Sequence, residues 1–142
     1  MDLTYDDDLV LTECDLERLT AFVEDLENRF SVELVREPGV CLTLVKAEDS
    51  LEKQPFYLGE ALTTECEVSV DGQLGIGLCL GEEPVRGYCI AVFDALRSRP
   101  DGLPTEAEMF IERERVSLME ADTEEFNQVL RTRVDFKLMD QD

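Results

Sequence analysis

Leu62-Thr63-Thr64-Glu65-Cys66-Glu67-Val68-Ser69-Val70-Asp71-Gly72-Gln73-Leu74-Gly75-Ile76-Gly77-Leu78-Cys79-Leu80 holds a strand, a turn and a return strand. In the first half, Leu62, Thr64, Cys66, Val68 and Val70 alternate with Thr63, Glu65, Glu67 and Ser69. A period of two puts these sets on opposite faces of a strand, the first inward and the second outward. Asp71-Gly72 is a strong short hairpin signal, because both positions of the tight turn need positive φ. On the return, Leu74, Ile76, Leu78 and Leu80 form an apolar face, and Gly75 and Gly77 lie on the other. Glycines at alternating strand positions predict close approach by another backbone.

Outward from this hairpin, residues 12–30 read as a helix with Leu16, Leu19, Phe22, Val23 and Leu26 on one side. Thr12 is placed to cap it, with Asp15 as the reciprocal partner. Ser31–Arg36 and Val40–Lys46 read as two short paired strands around the turn Glu37-Pro38-Gly39. Residues 47–55 read as a loop. Pro84 opens a second helix whose buried stripe is Val85, Tyr88, Cys89, Val92, Phe93 and Leu96. Ser98–Pro104 is a loop, and residues 105–119 fit neither period. Asp122 and Glu125 can open a further helix, and Val134–Leu138 alternates like a terminal strand. The expected fold is a single α+β domain over residues 12–138, with a mostly antiparallel sheet and a long central hairpin flanked by helices. An acidic segment, 1–11, precedes it and a tail, 139–142, follows.

Composition narrows the function. Of 142 residues 34 are acidic and 13 basic, a net charge of −21, so a phosphate backbone or an anionic lipid surface is a poor partner. There is no histidine, which excludes Ser-His-Asp and Cys-His catalysis and any His-ligated metal. No apolar run reaches the ~18 residues of a membrane span. The acidic start is unlike a signal peptide, so the expected location is cytoplasmic. The five cysteines, Cys14, Cys41, Cys66, Cys79 and Cys89, include no C-x-x-C pair and read as small buried hydrophobes. The acidic excess, with lysine only at 46, 53 and 137, fits either a salty cytoplasm or an acidic face that docks on a basic partner.

Few residues suggest chemistry. Glu65 and Glu67 share a strand face, as a glycosidase pair or an oxygen-ligand metal site requires, but carboxylates are abundant everywhere. Asp6-Asp7-Asp8 offers a cation site or a mobile acidic tip. Gly72, Gly75, Gly77 and Gly81 lack the Lys-Ser/Thr of a phosphate loop. Arg131-Thr132-Arg133 suits either helix C-terminal carbonyls or an acidic or phosphorylated group. The residues therefore describe an acidic domain without catalytic apparatus, and a sheet with glycines exposed on one face suits packing against other proteins.

Against that background the chain resembles the PhnG family, the small G subunit of the carbon–phosphorus lyase core complex. The resemblance is carried by Phe56-Tyr57-Leu58-Gly59-Glu60, Thr64-Glu65-Cys66-Glu67-Val68, Asp71-Gly72 with Gly75 and Gly77, and Leu80-Gly81. It continues in the helix with Ala91, Asp94, Ala95 and Leu96, and in Thr132-Arg133-Val134-Asp135-Phe136. Gly81-Glu82-Glu83 stands where the family has Gly-Arg-Asp. Glu65 stands for the Arg of its Thr-Arg-Cys, and Lys137 for a second Phe. Arg86-Gly87-Tyr88-Cys89 occupies a helix start that is often His-Ala-Glu-like.

The resemblance implies a subunit, without a cofactor of its own, of the assembly that makes alkylphosphonates usable as a phosphorus source. There the I subunit, with G, H and L, displaces adenine from ATP with methylphosphonate, giving α-D-ribose 1-methylphosphonate 5-triphosphate. The J subunit later breaks the carbon–phosphorus bond with an iron–sulfur cluster and S-adenosylmethionine. The implied partners are the I subunit first, then H and J; a homodimer is one form open to the isolated chain. The implied contact residues are Gly59, Glu60, Thr64, Cys66, Gly75, Gly77, Asp94, Arg133, Asp135 and Phe136. The rival expectations are a stand-alone, self-associating domain of the same fold that binds a small molecule (a phosphonate or nucleotide), and a metal-dependent hydrolase using Glu65 and Glu67.

Overall fold

A computed structural model describes the backbone of residues 6–48 and 55–139, and the side chains of residues 6–42 and 59–125. Its elements, in chain order, are α1 (Asp7–Glu13), α2 (Leu16–Arg29), β1 (Val32–Glu48), β2 (Pro55–Val70), β3 (Gln73–Leu80), α3 (Pro84–Arg97) and α4 (Thr105–Met139). The strands form one antiparallel sheet in the order β1-β2-β3, so the expected α+β class holds.

The β2–β3 hairpin forms as the alternation predicts, with Val70 paired to Gln73 across the turn. Asp71 (φ 49°) and Gly72 (φ 88°) both take positive φ, the geometry of the primed turn. The Asp71 carboxylate accepts from the Ser31 amide, and the Asp71 amide donates to the Ser31 carbonyl, each at 2.9 Å. This pair ties the hairpin tip to the start of β1. On β2 the inward set Thr64, Cys66, Val68 and Val70 is buried as expected, whereas Leu62 lies 43% exposed beyond the cover of α3.

On β3 the close backbone approach expected at the glycines holds, but the exposed face is the other one. Gly75 and Gly77 are buried beneath α3 and are not an exposed face. A Cβ on Gly77 would lie 2.0 Å from the Gly87 carbonyl oxygen, and one on Gly75 2.4 Å from that of Ala91. Helix backbone therefore fills the inner side, and Leu74, Ile76, Leu78 and Leu80 point outward, 49%, 52%, 52% and 67% exposed.

Three further expectations change. The helix at 12–30 is two helices: Asp6 caps α1 by accepting from the Leu9 amide, and Asp15 caps α2 by accepting from the Arg18 amide. Thr12 is not a cap; its hydroxyl donates to the Asp8 carbonyl. Asp6-Asp7-Asp8 thus belongs to a helix start, and α1 carries Val10 and Leu11 fully into the core, ahead of residue 12.

The two short strands are one, β1, paired along its length with β2. Glu37-Pro38-Gly39 is absorbed as irregularities in register, between Leu34 and Arg36 and between Arg36 and Gly39. Proline is tolerated because β1 is an edge strand, where a missing amide costs no ladder bond on the open side.

The ambiguous 105–119, the later helix and the terminal strand Val134–Leu138 are all one helix, α4. No proline or glycine interrupts it. The expected loop 47–55 falls partly on residues 49–54, outside the described residues; β1 runs to Glu48 and β2 begins at Pro55.

The core is built around α3, which packs on β2 and β3 with one side and meets α1 and α2 with the other. A helix covered on both sides is buried nearly all round, as Arg86, Gly87, Cys89, Ile90, Ala91, Val92, Phe93, Ala95 and Leu96 are. Val85, expected in its buried stripe, is 47% exposed. Phe22, Phe93 and Phe110 close the far side, with ring centroids 4.6 Å apart for Phe22 and Phe110.

Candidate functional site

The residues expected to make contacts fall into three places. Thr64, Cys66, Gly75, Gly77 and Asp94 gather along the seam between α3 and the sheet. The Thr64 hydroxyl donates to the Gly81 carbonyl at 2.6 Å and accepts from the Glu83 amide at 3.0 Å, pinning the β3–α3 loop. The Cys66 thiol points to the Arg36 carbonyl at 3.5 Å. The Asp94 carboxylate reaches over the edge of β3 and accepts from the Ile76 amide at 2.9 Å. Four of the five are buried, and all bond or pack within the chain.

Gly59 and Glu60 are exposed on the ribbon formed by β1 and β2, with Gly59 (φ +142°) at an irregularity of register. Arg133, Asp135 and Phe136 lie on the last turns of α4, and their side chains are outside the described residues.

Sequence patterns hid two charged residues that hold this frame together. Arg86, 7% exposed, donates to the Leu11 carbonyl at 2.8 Å and pairs with Glu83 at 3.2 Å, so it joins α1 to the N-terminus of α3. Glu114, 4% exposed, receives a two-pronged bond from Arg18 at 2.7 and 3.0 Å, joining α4 to α2. That bond raises the pKa of the Arg18 guanidinium above its ordinary value. The only sequence signal for either was a charge at a position where helical spacing asks for an apolar residue.

The chemistry open to the described residues is limited. Burial pushes the Cys14, Cys66 and Cys79 thiols up, and drives Cys89 up to about 12, so these sulfurs stay protonated and poorly nucleophilic. Burial, followed by a hydrogen bond to Glu27, also raises Tyr88. Among the described residues no group of three or more His, Cys, Asp or Glu side chains is placed to hold a metal ion. Glu65 and Glu67 share the outer face of β2, and Glu65 has Arg36 at 3.8 Å.

Among the described residues two clefts are lined by arginine, and these arginines already face carboxylates: Arg97 faces Asp7 and Asp8, and Arg115 faces Asp7 and Glu112. A phosphonate or nucleotide would have to displace those carboxylates. No described helix is long and apolar enough to cross a membrane.

The family model for phosphonate metabolism protein PhnG matches residues 9–141, nearly the whole chain. The chain belongs to the PhnG family. A search among curated proteins gives no match. Membership makes this a phosphonate-metabolism protein. Of the residues at which the resemblance was imperfect, Glu83 is paired with Arg86 and Glu65 faces Arg36. Gly81 keeps the positive φ (83°) that the loop needs.

Proposed function

We propose that this chain is an accessory, non-catalytic subunit of the carbon–phosphorus lyase core complex in alkylphosphonate catabolism. In this reading it supports the I subunit in forming α-D-ribose 1-methylphosphonate 5-triphosphate from ATP and methylphosphonate, within a cytoplasmic assembly that also contains H and J. The observation that carries it is the family match over residues 9–141. The site chemistry agrees: four buried thiols are held protonated, and the arginines of two clefts are engaged by neighbouring carboxylates. Of the expected contact residues with described side chains, Gly59 and Glu60 are open to a partner.

The test is co-expression of a tagged chain with the I, H and J subunits, followed by size exclusion in molar salt. The expected result is a stable complex that contains the I subunit and forms the triphosphate product only when this chain is present. A lone monomer or homodimer beside folded partner subunits sinks the proposal and turns attention to direct binding of phosphonate or nucleotide.

A further inference from the structure

β3 carries leucine or isoleucine at four alternate positions, all pointing away from the core. Leu74, Ile76, Leu78 and Leu80 retain 49–67% of their surface in water. They cannot turn inward, because Gly75 and Gly77 leave only enough room for the α3 backbone. A contiguous aliphatic row on an edge strand is costly to leave bare and marks an interaction surface. At the strand edge Ile76 and Leu78 border a cleft of ≈250 Å³, in which Leu11 and Ile90 are nearly covered and Asp8, Asp94 and Arg97 supply a polar rim.

The surroundings of the row say what covers it. Strand register sets Glu67 beside Ile76 and Glu65 beside Leu78, and Glu33 lies further across the same face, opposite Ser69. Arg36 sits 3.8 Å from Glu65. A second copy of this chain would bring the same carboxylates against these, on top of a net charge of −21 for each molecule. Strand addition is also hindered, because the Asp94 carboxylate already takes the Ile76 amide that an added strand would need.

We propose that the outer face of β3, bordered by Glu65 and Glu67, docks a different protein subunit through an apolar patch flanked by arginine or lysine. This rests on the assignment to a multi-subunit assembly made above, and it moves the main contact from the buried glycine seam to the opposite face of the sheet.

The experiment compares the wild-type chain with I76E/L78E, both co-expressed with the I, H and J subunits. The substituted side chains are half exposed, so circular dichroism should match wild type, while each new glutamate faces Glu67 or Glu65 across the strand pair and should lower the melting temperature modestly. The complex should weaken by roughly a hundredfold or more, as when buried anchor residues are lost from an interface. In parallel, hydroxyl-radical footprinting of the wild-type complex should show protection of Leu74, Ile76, Leu78 and Leu80 relative to the free chain. This second readout stands even if the variant fails to fold.

A wild-type complex whose row is unprotected, or that a folded variant still joins, overturns this surface and leaves the subunit assignment intact. A wild-type chain that joins no subunit overturns both. A wild-type homodimer that the double substitution dissolves replaces the proposed occupant with a second copy.

Discussion

Gly77 is where one missing methyl group decides the packing of the molecule. Its ideal Cβ position lies 2.0 Å from one helix carbonyl and 2.6 Å from the Ala91 amide, both backbone atoms that cannot rotate away. Gly77→Ala should therefore lift α3 off the sheet and lower the unfolding free energy by about 3 kcal/mol or more, measured by urea denaturation. A loss comparable to a surface substitution would show that the seam is loose. Cys89 makes a second prediction. Its thiol titrates near its ordinary 9.0 when unfolded and near about 12 when buried. A raised folded pKa means that the stabilisation is complete below pH 9 and is lost as pH climbs toward 12, because only the unfolded chain releases the proton there. Cys89→Ala should flatten the decline of stability across that window, and an unchanged slope would place the alkaline sensitivity elsewhere.

At the scale of elements, the sequence was informative where a pattern had one reading. The hairpin around Asp71-Gly72, the Pro84 helix start and the close approach at Gly75 and Gly77 all follow from local rules that tertiary structure did not override. The orientation of β3 did not follow. Alternation defines two faces but not which is inward, and helix backbone can fill a glycine face as completely as leucines can. The turn at Glu37-Pro38-Gly39 failed because an edge strand accepts proline and absorbs extra residues as bulges. α4 was broken into pieces because its buried stripe, Ala107, Ile111 and Glu114, includes a carboxylate whose partner, Arg18, is distant in sequence. Of the candidate site, the family motifs marked residues that build the seam, besides Gly59, Glu60 and the end of α4, while of the exposed aliphatic row only Leu80 fell within one.

For the whole molecule, charge is the dominant long-range force. At a net −21, like charges repel across a small surface, and the local pairs that α1 makes through Asp7 and Asp8 with Arg97 remove only part of that strain. Raising KCl from about 0.1 M to about 1 M shortens the screening length from ~10 to ~3 Å, which should raise the urea midpoint. A midpoint independent of salt would mean that repulsion in the folded state is no greater than in the unfolded one. The carboxylate plug on the Ile76 amide has a consequence of another kind. A subunit is seldom made in perfect proportion to its partners, and an orphan chain with a bare aliphatic strand would stack edge to edge into insoluble ribbons. With Asp94 seated on that edge and acids beside the row, surplus copies are expected to resist such stacking, which would keep them as a reserve for assembly in place of an aggregate.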